Sequence, residues 1–180
     1  MKLENNKKIC THSNFIIFFY FLFVISISHQ NYNYKMASFV KEISFRWSDL
    51  DPNFHVRHSA YYDFGAQHRI EILEELGLTL KVMQTQGFGP VLFREECVFR
   101  KELKLSDKIF IHTKTSKMKA DASRWSIIHE FRREDDTLCA TITVDGAWMD
   151  TKLRKLASPT PEIAVQALSI FPKSDDFVGL

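Results

Sequence analysis

Residues Phe45 to Tyr62 constrain the fold more than any other part of the chain. Ile43, Phe45 and Trp47 alternate with Glu42, Ser44 and Arg46, the period of a strand with one buried face, so a strand is expected to end near Ser48. Asp51-Pro52-Asn53 stops it, because proline lacks an N–H and restricts its predecessor while asparagine accepts turn geometry. A helix is then predicted from an N-cap at Ser59, with Tyr61, Phe64, Gly65, His68, Ile72 and Leu76 on one stripe and Gly77 as the closing residue. This order sets the carboxylate of Asp51 just ahead of a helix start, where unpaired N–H groups and the positive end of the dipole gather. A carbonyl bound there is polarised beside a base or nucleophile. The plain alternative is an Asp that only shapes a proline-containing turn.

Downstream the pattern changes to long strands. After a short helix over 78–86 and the Gly87-Phe88-Gly89-Pro90 break, strands are predicted over 91–100, 108–117, 123–133 and 138–150. The second shows Ile109, Ile111 and Thr113 on one face, and the third Trp125, Ile127, His129 and Phe131. Short turns between them call for antiparallel neighbours. One long helix followed by a strand meander is an α+β pattern. Gly65-Ala66 inside the helix costs about 1 kcal/mol of propensity at the glycine, which implies a close approach by another element. Pro159 and Pro161 precede a terminal helix over 162–171, and 173–180 is expected to fray. No dinucleotide, phosphate-loop, zinc-protease or serine-hydrolase signature is present.

Asp49-Leu50-Asp51, then His55-Val56, His58 and Tyr61-Tyr62, resembles the opening motif of the 4-hydroxybenzoyl-CoA thioesterase-like branch of the hotdog superfamily, which reads Asp-x-Asp, His-Val-Asn-Asn, Tyr. The similarity extends through Arg132-Arg133-Glu134-Asp135 to about Pro159. Two positions depart: Arg57-His58 replaces the Asn pair, and Phe54 stands where glycine is frequent. The resemblance implies a hotdog fold, a long central helix wrapped by a curved antiparallel sheet of about five strands. It implies an acyl-CoA thioesterase with Asp51 as base or nucleophile and His58 as a second catalytic candidate, at the offset where one branch carries a histidine. Backbone N–H groups from His58 through Ser59 to Ala60 would hold the oxyanion, and Tyr61 and Tyr62 would line an acyl pocket completed by a second subunit of a homodimer or homotetramer. It implies no cofactor. The alternatives are a non-catalytic acyl-CoA-binding or assembly protein of the same fold, and a hotdog hydratase or dehydratase, whose motifs are not found.

Residues 1–35 differ from the rest. Lys7 and Lys8 precede an apolar run from Phe15 to Ile25, the length of a signal-peptide core and short of the ~20 residues of a membrane span. We expect 1–35 to be a leader, either an upstream mis-start with Met36 as the working start or a signal-like segment, followed by a hotdog domain over 36–158 and a C-terminal helix and tail over 159–180. The leader holds four lysines and one glutamate, so residues 36–180 carry 20 basic and 21 acidic residues. Bulk charge therefore gives no reason to expect nucleic acid. A cytoplasmic location follows if Met36 is the start, and export if residues 1–28 are a signal peptide. Cys97 and Cys139 have no metal or redox spacing and read as buried thiols. His112 and His129 lack ligand spacing, so no metal is expected. Asp49 is ranked below Asp51, as a partner for Arg46; His55 as a turn anchor; Glu71 and Glu74 as a solvated helix face. Arg100, Lys101, Arg132 and Arg133 are candidates for coenzyme A phosphates.

Overall fold

The computed structural model describes residues 38–180, and the expected leader lies outside them. The chain runs β1 (Val40–Ile43), a 3₁₀ turn (Trp47–Asp49), α1 (His58–Glu75), α2 (Leu80–Gln86), β2 (Phe88–Phe99), β3 (Ile109–Met118), β4 (Arg124–Arg133), β5 (Leu138–Asp150), β6 (Lys155–Leu156), α3 (Glu162–Ile170) and β7 (Lys173–Gly179). Five strands form the expected antiparallel sheet in the order β1-β3-β4-β5-β2, and the long helix α1 packs its buried stripe on it. The alternating rows foreseen on β3 and β4 face inward: Ile109, Ile111, Thr113, Trp125, Ile127, His129 and Phe131 are all buried.

Gly65 is where helix and sheet come closest. A Cβ there would lie 3.3 Å from His129 Cδ2 and 3.4 Å from Ile142 Cδ1, so the missing side chain admits the sheet. Gly77 ends α1 at φ +83°, with Leu78 N–H donating to Leu73 O and Gly77 N–H to Glu74 O, the paired bonds of a Schellman cap.

Three expectations are corrected. The first strand stops at Ile43, not near Ser48, and Trp47 is 71% exposed. The cause is Asp49, whose carboxylate takes the Arg46 backbone N–H at 2.8 Å and curls the chain into the 3₁₀ turn. Helix α1 begins at His58 with Arg57 rather than Ser59 as N-cap; Arg57 N–H is tied to Asp49 O at 2.8 Å, so the preceding turn fixes the entry. Residues 173–179 do not fray. They form β7, which pairs in parallel with β3 at Thr115, Lys117 and Met118.

The two sheet edges end differently. β1 covers Ile109–His112 of β3 and β7 covers its other half, whereas among the described residues the 12-residue β2 pairs only with β5 and leaves its outer edge open.

Candidate active site

The turn between the 3₁₀ segment and α1 is a small closed structure. Asp51 N–H donates to His55 O (2.8 Å) and Phe54 N–H to Asp51 O (3.0 Å); Leu50 and Val56 form a bridge, and Val56 N–H reaches Leu103 O (2.8 Å). Phe54 has φ +62°, the left-handed region that costs an L-residue about 1–2 kcal/mol. That is the position at which the thioesterase-like motif often has glycine.

The two aspartates in this turn have different surroundings. Asp49 is 1% exposed, and Arg46 Nε and Nη2 reach its oxygens at 3.2 and 3.0 Å, with Arg57 at 3.9 Å. Hydrogen bonding from Arg46 holds its carboxyl below the ordinary carboxylate range. Asp51 is half-buried, and its Oδ1 accepts from Asn53 N–H at 2.8 Å and His55 N–H at 3.1 Å. The turn reading and the chemical reading are therefore compatible, since one oxygen serves the turn while no protein donor meets Oδ2 among the described residues.

Asp51 lines a cavity of about 430 Å³ with His55, His58, Tyr61, Phe99, Arg100 and Lys101. His58 is exposed at its rim and Tyr61 is buried beneath it, its ring packed edge-on against Phe99 and Phe131 at 5.1 and 5.2 Å. Burial pushes the Tyr61 phenol well above its ordinary pKa, so it stays neutral. At the helix start, Ala60 N–H is already used on Arg57 O (3.0 Å), while His58 and Ser59 N–H meet no protein acceptor among the described residues. The Ser59 hydroxyl is bonded by Arg57 Nη1. Ser59, Ala60 and Tyr62 do not line this cavity. Tyr62 lies further along α1 toward β2, where burial raises its pKa, with Cys97 and Glu95 adding to the effect.

The four basic candidates divide. Arg132 is engaged by Glu130 and Asp136, and Arg133 by Asp107 and the Glu102 carbonyl. Arg100 and Lys101 are exposed beside Asp51 with no ion pair among the described residues. Glu71 bonds Lys41 at 2.6 Å, as a surface residue does, and Glu74 is exposed. Among the described residues no group of three His, Cys, Asp or Glu side chains is placed to hold a metal, and no helix is long and apolar enough to cross a membrane.

A second polar cluster, absent from the expectations, lies under α1. Arg69 Nη1 is 2.9 Å from His129 Nε2, His129 Nδ1 is 2.7 Å from Thr113 Oγ1, Thr113 Oγ1 is 2.9 Å from His68 Nδ1, and His68 Nε2 is 2.9 Å from Ser38 O. Both ends fix the direction. Arginine can only donate and a carbonyl can only accept, so the protons run Arg69 to His129, His129 to Thr113, Thr113 to His68 and His68 to Ser38, with both imidazoles neutral. Burial lowers both histidine pKa values, that of His129 the further, with Arg69 adding to the effect.

A long helix wrapped by a five-stranded antiparallel sheet, with an acidic turn at the helix start, defines a hotdog-fold protein. The family profile of the thioesterase-like superfamily matches residues 45–167, and the chain belongs to that family. The sequence matches no curated protein. Among solved structures, the fold is similar to a hypothetical protein from Staphylococcus aureus in complex with CoA (TM-score 0.67, 19% identity, 73% of this chain and 81% of that one). It is also similar to a 1,4-dihydroxy-2-naphthoyl-CoA thioesterase from Synechocystis (0.64, 19%, 72% and 94%). A third is a gentisyl-coenzyme A thioesterase (0.62, 21%, 72% and 98%).

Proposed function

We propose that the protein hydrolyses an acyl-CoA thioester to free acid and coenzyme A, with Asp51 as the reacting carboxylate. The observation that carries this reading is the unpartnered Oδ2 of Asp51 on a cavity that His58, the first residue of α1, also lines. A thioester carbonyl seated there has the free N–H groups of His58 and Ser59 for its developing oxyanion. Asp51 then either takes a proton from the attacking water or attacks the carbonyl itself, giving an anhydride that water opens. In both routes the coenzyme A thiolate leaves. Arg100 and Lys101 supply positive charge for its phosphates. His58, on the rim, orients water or the thioester. The coenzyme A bound to one structural neighbour and the identity of two others as CoA thioesterases support the choice of substrate class.

The reading includes a second copy of the chain. The open edge of β2 displays Leu92, Phe93, Val98 and Phe99 to solvent, an arrangement that invites strand pairing. Pairing of two β2 edges about a twofold axis buries these side chains and brings a partner against Tyr62 and Phe99. Light scattering at micromolar protein is expected to give at least twice the chain mass; a monomer mass refutes the shared site. Release of thiol from a panel of acyl-CoAs tests the activity. Binding of the panel with no thiol released would replace the enzyme by a non-catalytic acyl-CoA-binding protein.

A further inference from the structure

A cavity of about 260 Å³ separates α1 from the sheet on the β2 side and shares no lining residue with the Asp51 cavity. It exceeds the ~150 Å³ apolar cavity that suffices for benzene. Its walls are Leu73, Ile127, Leu168 and the indoles of Trp125 and Trp148, with Arg69 as the one charged group. Gly146 makes room for this wall, since a Cβ there would meet the Trp125 ring at 2.3 Å.

Every polar side chain of the lining is a donor. The Nε1–H groups of Trp125 and Trp148 are buried without an acceptor among the described residues. Arg69 is 9% exposed and gives one N–H to His129, so most of its five donors are uncommitted, and the relay through Thr113 and His68 holds the guanidinium in place. Its nearest carboxylate, Glu95, is 3.8 Å away, close enough to balance the charge and too far for a hydrogen bond. A balanced cation does not call for a second carboxylate. It calls for a neutral oxygen.

We propose that this cavity takes the tail of the acyl group and that Arg69 selects tails carrying a neutral oxygen acceptor, an oxo or hydroxyl group, on an otherwise aliphatic chain. The assignment of the tail to an acyl-CoA rests on the thioesterase reading; the cavity's preference does not. Tyr62, Ala66 and Ile70, one helical turn apart on α1, lead from the Asp51 end toward the cavity, and Ala66 and Ile70 border it. From His58 to Arg69 is 11 helical residues, about 16 Å of axial rise, so the oxygen sits far along the chain from the thioester.

Tryptophan fluorescence reads occupancy directly, because two indoles form the wall. The full-length protein is titrated with 2-octanone, n-octane and octanoate. A hydrogen bond to a charged donor is worth about 10- to 100-fold in affinity, so 2-octanone is expected to bind at least ~10-fold tighter than either other probe. Arg69→Met removes that advantage and leaves n-octane within about threefold. If Arg69→Met does not fold by circular dichroism, the wild-type ranking decides alone. Octane or octanoate binding as tightly as the ketone, no binding at all, or a ketone advantage that survives in folded Arg69→Met overturns the proposal. Thiol release from 13-oxotetradecanoyl-CoA and tetradecanoyl-CoA, chains long enough for that separation, separates the two readings. The expected ranking with no thioester cleaved refutes the activity alone, and cleavage without discrimination, together with unranked probes, refutes Arg69 selection alone.

Discussion

The acidic turn and the buried relay are the two polar centres of this molecule, and they satisfy their hydrogen bonds in opposite ways. In the relay each histidine nitrogen and the Thr113 hydroxyl has one partner and one direction, set by a donor-only arginine at one end and a carbonyl at the other. In the turn, the Asp49 carboxylate is similarly saturated by the guanidinium and the backbone N–H of Arg46. Asp51, two residues on, gives one oxygen to the turn and keeps the other toward a cavity. The two imidazoles, the Thr113 hydroxyl and Asp49 are saturated and have nothing left to offer a substrate, and the spare donors of the relay belong to its terminal Arg69, on the other cavity. Of the two carboxylates in the turn, Asp51 is the one available for chemistry.

The strongest way to break this contrast is Asp51→Asn. The amide oxygen still accepts the Asn53 and His55 N–H groups, so the turn survives, but an amide can neither take a proton from water nor attack a carbonyl. Thioester turnover per folded molecule is expected to fall ~10²- to 10⁴-fold with the melting temperature little changed. His58→Ala is expected to cost less than Asp51→Asn and more than Asp49→Asn. A lowered melting temperature with turnover preserved in Asp51→Asn would reduce Asp51 to turn chemistry.

Thr113→Val asks the reverse of the relay. Valine keeps the shape and removes the hydroxyl that joins the two histidines, leaving two buried imidazole nitrogens facing a methyl group. Denaturant unfolding is expected to show a loss of about 2–5 kcal/mol, one buried unsatisfied group on each side. Turnover of an acyl-CoA whose tail carries no oxygen is expected to hold, since none of the relay residues lines the Asp51 cavity. A substitution that is neutral in stability would mean that the chain of bonds does not close in solution.

Much of this was legible in the sequence, and what was not has a common cause. Period-2 alternation located β3 and β4 because each buries one face, and Gly77 marked the helix end because only a left-handed residue closes that cap. The same rows carried His68, Thr113 and His129 on inward faces. That they meet was not visible, because contact between them depends on which strand lies under which turn of α1, and topology is not a local property. The first strand is shorter than its alternating pattern for a related reason. Alternation continued through Trp47, but the Asp49 carboxylate bonds the Arg46 backbone and wins locally over strand propensity. β7 carries no strand signal because Lys173-Ser174-Asp175-Asp176 is polar, and its place in the sheet comes from the vacant half of the β3 edge rather than from its own pattern.

The smallest effect separates the two centres by pH alone. His68 and His129 are neutral in the fold with pKa values below the ~6.5 of an unfolded histidine, so below that pH the unfolded chain binds more protons and stability falls as pH is lowered. Glu71 and Glu75 oppose the shift at His68 and Lys41 reinforces it, while Arg69 and His68 reinforce it at His129. Asp49 also titrates below its unfolded value, near 3.9, so its contribution is complete above that pH and is lost as pH falls through the folded value. Glu71, Asp121, Glu130 and Asp135 share that lower window. Melting temperature against pH is therefore expected to show one decline starting near 6.5 and a second below about 4. Thr113→Val should flatten the upper limb, since its histidines are already destabilised in the neutral form, and Asp49→Asn should reduce only the lower. A profile flat from pH 7 to 5 in the wild type would show that the histidines are not held neutral, and the direction assigned to the relay would fail with it.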